Sequence, residues 1–191
     1  MAGKATELWL VRHGRARGNR RHILNGSRCD VPLTAKGREQ ARRLARGWKL
    51  RPDVILTSPL ARARNTAKHL AKKYKMGVIV VPDTTEQDCG DWSGKDMLKL
   101  IEKHPKNFFR RADGTLTHYL IAIPGGESWK GVRKRAKRFL STVHDLYLGK
   151  RVVVFAHGVF IIACIEELTG VRPPKLWDYH LKNAQPARFR I

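Results

Sequence analysis

Two segments of this chain share one design: a short apolar run that ends in a histidine followed by a glycine. Glu7 to Arg12 leads into His13-Gly14, and Arg151 to Ala156, with Val152-Val153-Val154-Phe155 at its centre, leads into His157-Gly158. Apolar runs of this length read as strands, and the second has the continuous apolar character of a strand buried on both faces. In an open α/β sheet, ligands bind beyond the carboxyl ends of the strands, so two strands that end this way can bring both imidazoles to one crevice. The glycine after each histidine is expected to let the chain turn sharply and a ligand approach closely.

The segments between them fit the same architecture. Thr34 reads as the N-cap of an amphipathic helix in which Ala41, Leu44, Ala45 and Trp48 recur at helical spacing. Val54-Ile55-Leu56 reads as a strand that stops at Thr57-Ser58-Pro59, and a second helix then buries Leu60, Ala63, Ala67, Leu70 and Tyr74. Val78 to Val81 is a third strand. Residues 83–126 are less regular, with a short helix around Met97 to Lys103, and form a lid-like insertion. A long helix from near Ser128 to Leu148 buries Val132, Ala136, Phe139, Leu140, Val143 and Tyr147, an apolar helix follows His157-Gly158 to about Thr169, and a short edge strand lies near Phe189. Alternating strands and helices predict a largely parallel sheet with helices on its faces, in a single domain over residues 1–191. Gly125-Gly126 and Ser128 have two open roles, either starting the long helix or presenting helix-terminal amides to an anion.

Charge narrows the choice of partners. The chain has 39 Lys and Arg against 16 Asp and Glu, a net charge of +23, which points to anionic partners or to a solvated basic surface. Its three cysteines, Cys29, Cys89 and Cys164, are widely spaced and form no metal-binding cluster, so free thiols and no structural metal are expected. Near the N-terminus only Leu8-Trp9-Leu10-Val11 is apolar, too short for a signal sequence or a membrane span, and a cytoplasmic location without membrane association follows as an expectation.

A third strand end, Ser58-Pro59-Leu60-Ala61-Arg62-Ala63, supplies another arginine. His13, His157, Arg12 and Arg62 then make a cationic cup suited to a phosphoryl group. Arg12-His13-Gly14, with Asn19 six residues after the histidine, resembles the signature of the histidine phosphatase (phosphoglycerate mutase-like) superfamily. Matches continue in order through Gly26, Asp30-Val31-Pro32-Leu33-Thr34 and Gly37, Ser58 to Ala63 with Thr66-Ala67, Glu86 with Gly90, Trp92 and Gly94, Pro124 to Ser128, and His157-Gly158. The resemblance spans nearly the whole chain and implies a three-layer α/β sandwich with a mostly parallel central sheet and helices on both faces.

For function, the resemblance implies a metal-independent phosphomonoester hydrolase that needs no cofactor. His13 attacks phosphorus and becomes a phosphohistidine, while Arg12, Arg62 and His157 hold the nonbridging oxygens and Asn19 and Gly158 help to seat the phosphate. His13 must be a free base, which the arginines favour by lowering its pKa, whereas a protonated His157 binds phosphate better. Glu86 is the general acid and base, with Asp83 and Asp88 as rivals. His22, His69, His104, His118, His144 and His180 read as surface or packing residues.

Arg15 and Ala16 stand where many relatives carry glutamate and a small hydroxyl residue, which predicts a more cationic pocket mouth. Val159 replaces a frequent glycine. The short insertion favours phosphatase over cofactor-dependent phosphoglycerate mutase, with Phe108, Phe109, Arg110, Arg111 and Tyr119 as expected specificity elements and a small phosphorylated substrate as the expected ligand. A phosphoprotein is a further candidate. A reading of another class is a polyanion- or RNA-binding protein using Arg17, Arg20, Arg21 and Arg28 together with the cluster from Lys130 to Arg138.

Overall fold

The computed structural model describes residues 5–18, 22–111, 113–172, 175 and 181–191, with 118 and 119 described through their backbone. In chain order the elements are β1 (Glu7–Arg12), α1 (Ala35–Gly47), β2 (Val54–Thr57), α2 (Ala61–Tyr74), β3 (Ile79–Val80), α3 (Met97–Lys103), β4 (Phe108–Arg110), β5 (Leu116–Leu120), α4 (Trp129–Leu146), β6 (Arg151–Ala156), α5 (Gly158–Thr169) and β7 (Pro186–Arg190). The main sheet runs β3-β2-β6-β1-β7, with only β7 antiparallel.

Alternation along the strands builds the three layers. Leu8, Leu10, Leu56, Val152 and Val154 point to one face, where they pack with Val132, Phe139 and Val143 of α4 and Phe160 and Ile161 of α5. Trp9, Val11, Ile55, Val153 and Phe155 point to the other and meet Ala45 of α1 and Ala67 and Leu70 of α2. With side chains at every second position on each face, β6 has no room for a polar residue and reads as one apolar run.

Register carries this pattern to the site. Arg12 pairs with Ala156 across β1 and β6, and Thr57 pairs with Phe155 across β2 and β6. His13, His157 and Ser58 therefore leave three neighbouring strands at nearly one level. The helices start where their capping groups stand. Thr34 Oγ1 accepts from Gly37 N at 3.0 Å, Ser128 Oγ accepts from Gly131 N at 3.2 Å, and the Asp30 carboxylate reaches from another loop to accept Ala61 N at 2.9 Å.

Three expectations change. The third strand shrinks from Val78–Val81 to Ile79–Val80, both exposed, because it lies at a sheet edge with one partner, β2. Residues 83–126 also contain the antiparallel hairpin β4-β5, whose register shifts between Phe108 and Arg110, so its strands lack the clean alternation that would mark them in sequence. Tyr147 lies past the end of α4 and is only half-buried. This region packs around its own cluster of Cys89, Trp92, Leu100, Phe108, Leu120 and Ile123. Among the described residues no helix is long and apolar enough to cross a membrane.

Candidate active site

Beyond the carboxyl ends of β1, β2 and β6 lies a cavity of about 760 Å3, lined at its inner end by Arg12, His13, Arg62, Glu86 and Gly158. The His13 ring is nearly fully buried, and its Nδ1 lies 2.7 Å from the carbonyl oxygen of Gly14. A carbonyl only accepts, so Nδ1 carries the proton and Nε2 keeps its lone pair. Burial first, then the charges of Arg62 and Arg12, push the His13 pKa down to about 3, against a smaller upward pull from the Gly14 carbonyl. The arginines thus act as expected, but desolvation is the larger cause.

The Arg62 guanidinium is anchored from behind. Nη2 donates to Gly26 O at 2.7 Å and Nη1 to Cys29 O at 3.0 Å, while the first turn of α2 fixes its backbone. Arg12 Nη1 donates to Leu181 O at 2.9 Å, and the next residues clamp the end of β1, with Asn183 Nδ2 donating to His13 O and Ala184 N to Arg12 O, both at 2.8 Å. Among the described residues, Arg12 Nε and His157 Nδ1 are buried without a hydrogen-bond partner. Unpaired buried donors are costly, and two beside one crevice suit an oxyanion that satisfies them on binding.

His157 stands behind the cup, its ring centroid 5.1 Å from that of His13 and its Nε2 2.7 Å from Ser58 Oγ. Its pKa is well below the ordinary imidazole value, through burial and then the nearby His13, Arg62 and Arg12. The protonated His157 expected from the sequence is therefore opposed in the resting site. A neutral imidazole can still give one N–H to a phosphoryl oxygen.

Glu86 lines the cavity; its Oε1 accepts from Gln87 N at 3.0 Å and its Oε2 from Val159 N at 3.4 Å. Its rivals are committed elsewhere, Asp83 to Arg138 at 2.5 Å and Asp88 to Arg28 at 2.7 Å. Asn19 lies outside the described residues.

This arrangement presents one unprotonated nitrogen inside a ring of fixed positive charge, with a carboxylate in the same lining. The family model of the histidine phosphatase superfamily (branch 1) matches residues 8–191. The chain belongs to that superfamily. Phosphoserine phosphatase 1 of Hydrogenobacter thermophilus is 34% identical over 179 residues, covering 93% of this chain and 83% of that one. A 2,3-bisphosphoglycerate-dependent phosphoglycerate mutase of Beijerinckia indica is 32% identical, over 96% of this chain and 91% of its own. Among solved structures, the phosphoserine phosphatase of Entamoeba histolytica in complex with 3-phosphoglyceric acid superposes with a TM-score of 0.79 at 26% identity, covering 96% of this chain and 90% of that one.

Several details of this histidine phosphatase depart from the sequence reading. Neither Gly14 nor Gly158 has a positive φ. A Cβ on Gly14 would lie 2.4 Å from Gly37 O, so this glycine admits helix α1 rather than a ligand, while one on Gly158 would meet only the Arg12 guanidinium, at 3.5 Å. Of the expected specificity residues whose side chains are described, only Arg111 lines the cavity. Phe108 is buried against Trp92, Phe109 packs on Trp129, Arg110 turns back to Gly114 O, and the Tyr119 side chain lies outside the described residues. Arg15 is absent from the lining, and its amide instead donates to Gln40 Oε1.

Ser128 takes the helix-capping role and lies away from the cavity. His22, exposed as its reading as a surface residue has it, also lines the cavity, and so do Gln87, Met97 and Lys182. Lys182 comes from the Pro-rich stretch near the C-terminus, where no periodicity marks a site. The backbone of His22, at φ 53, is the one signal in its loop, and it is invisible before folding.

Proposed function

We propose that this histidine phosphatase hydrolyses small phosphomonoesters through a phosphohistidine on Nε2 of His13, within one catalytic domain whose 83–126 segment acts as the lid. The observation that carries the reading is the His13 Nδ1–Gly14 contact, which leaves the opposite ring nitrogen unprotonated inside the Arg12–Arg62 cup. Nε2 attacks phosphorus, the N–P bond forms, and the bond to the leaving alkoxide breaks. Arg12, Arg62, His157 and Asn19 take the charge on the nonbridging oxygens, and Gly158 lets the start of α5 lie against the Arg12 guanidinium. Glu86 gives its proton to the alkoxide, then accepts one from the water that attacks phosphohistidine, which returns His13 as a free base. The arginines supply the positive charge that a divalent ion supplies at other phosphoryl-transfer sites.

The similarity to enzymes named phosphoserine phosphatase, one of them in complex with 3-phosphoglyceric acid, supports a small phosphorylated acid as substrate, with phosphoproteins as a further class. The test is release of inorganic phosphate from a panel of phosphomonoesters, including both of these compounds, in excess EDTA. Turnover by the wild type, absent in His13→Ala, and an acid-labile phosphoenzyme are the expected result. A second reading rests on the similarity to the phosphoglycerate mutase. Faster interconversion of phosphoglycerates than phosphate release, dependent on a bisphosphoglycerate primer, would establish it instead.

A further inference from the structure

The excess of positive charge is concentrated on the face of the sheet opposite α4 and α5. Residues 35–75 carry 13 lysines and arginines against two acidic residues, Glu39 and Asp53. Elsewhere on the molecule several arginines are matched with carboxylates. Arg133 pairs with Glu166 and Glu167, Arg135 with Glu127, Arg138 with Asp83 and Arg28 with Asp88, so these members of the two basic clusters noted in the sequence are locally neutralised. Arg20 and Arg21 lie outside the described residues. On α1, by contrast, Arg42, Arg43 and Arg46 share the one carboxylate of Glu39, and Asp53 is engaged by Arg151.

The two helices enclose a cleft of about 490 Å3 between these cations. Arg42 and Arg46 form one wall, His69, Lys72 and Lys73 the other, and Ala45 is the small floor. Arg42 and Arg46 stand about one helical turn, ~6 Å, apart on their wall, and Lys72 and Lys73 follow His69 on the other. The cleft is built rather than incidental: Lys73 Nζ crosses from α2 to donate to the carbonyls of Arg46 and Trp48, at 3.2 and 2.6 Å, which holds the helices at this spacing. Arg42 and Lys72 also help to hold the His69 pKa below its ordinary value, after burial, a sign of unrelieved positive potential.

We propose that this α1–α2 cleft binds the phosphodiester backbone of a nucleic acid, independently of sequence and of the catalytic site. Arginine forks and lysine ammonium groups in two rows match a regular line of phosphates and release its counterions. A membrane-seeking surface would project large apolar groups beside its cations. Here the two tryptophans of this face, Trp9 and Trp48, are 7% and 8% exposed and meet edge to face in the core. With no Phe, Tyr or Trp among the described residues lining the cleft to stack bases, contact is with the backbone.

The test is fluorescence anisotropy of a labelled DNA duplex of about 20 base pairs with hydroxyl ends, titrated from about 50 to 200 mM salt. Arg46→Gln/Lys72→Gln is compared with Lys134→Gln/Lys137→Gln on α4, which removes the same charge from the opposite face. The cleft variant is expected to bind about tenfold more weakly, with a log–log salt slope smaller by about two, while the α4 variant binds as the wild type does. Both should hydrolyse a small phosphomonoester at the wild-type rate, which shows that they are folded. Equal weakening in the two variants would reduce the effect to net charge and overturn the proposal. So would no binding of duplex at the lowest salt, or binding only to vesicles containing phosphatidylserine.

Discussion

The imidazoles of His13 and His157 stand 5.1 Å apart, tilted by 58°, at the ends of adjacent parallel strands, and neither is built to take the second proton that would charge it in the resting protein. Burial comes first among the causes for both, and the same two arginines add to it. A site that binds a dianion by the charge of two guanidinium groups can leave its histidines neutral.

Stability should therefore depend on pH in a defined window. His13 titrates near 6.5 when unfolded and at about 3 when folded. Between those values the unfolded chain binds a proton that the folded protein refuses, so stability is full above the upper value and falls as pH drops toward the lower one. Lowering the pH from about 6.5 to 4.5 should cost about 2–3 kcal/mol through His13 alone, and His157 acts in the same direction. Urea melts across this range should give a flatter profile for His13→Asn than for the wild type. Parallel profiles would show that His13 is not titrating as its burial requires.

Glu86 offers a test of proton transfer that leaves the arginine cup intact. Glu86→Gln preserves the side chain's size and one of its two acceptor oxygens, which serve the Gln87 and Val159 amides separately, but removes the transferable proton. Turnover of an alkyl phosphate should fall by about 10²–10⁴, with a much smaller loss for p-nitrophenyl phosphate, whose leaving group needs no protonation. An equal loss for both would assign Glu86 to binding.

Arg62 is held by two backbone carbonyls, and a lysine cannot reproduce that fork. Arg62→Lys should lower kcat/KM by about 10²–10³ while the protein remains folded. Arg62→Ala should also lose about 1–3 kcal/mol in a denaturant melt, since the carbonyls of Gly26 and Cys29 are left without their donor. Near-wild-type activity in Arg62→Lys would mean that point charge alone suffices.

How much of this was legible depends on how local each signal is. Strands β1 and β6 could be bounded to the residue because burial on both faces leaves an unbroken apolar run, and the histidines that end them mark the cavity. Helices α1, α2 and α4 were legible because one apolar stripe each meets the sheet. Lys182, Asn183 and His22 were not. Lys182 reaches the cavity and Asn183 the carbonyl of His13 through a strap over the end of β1, and His22 reaches the cavity through a left-handed backbone, which are properties of the folded chain. The hairpin β4-β5 escaped because a register shift interrupts its alternation. The aromatic pair Phe108-Phe109 read as a binding element, yet Phe108 packs on Trp92 within the 83–126 segment and Phe109 on Trp129 at the start of α4.

Gly37 provides a contest between two effects of opposite sign. Inside a helix, glycine to alanine normally gains about 1 kcal/mol. At position 37, however, a Cβ would stand 2.0 Å from the carbonyl oxygen of Arg15, and the neighbouring Gly14 is already closed against Gly37 O. Backbone on both sides cannot yield as a side-chain tip would, so overpacking costing about 1–3 kcal/mol should win and Gly37→Ala should be destabilised. Because the displaced segment is 14–15, the strain falls directly on the loop that orients His13, and turnover should drop even at temperatures where the variant is folded. Gly47, on the same helix, has nothing within 4 Å of a built Cβ. Gly47→Ala should therefore show a Tm at or above that of the wild type with unchanged activity. If thermal melts instead move both variants upward, the contact between α1 and the His13 loop is looser than the structure has it.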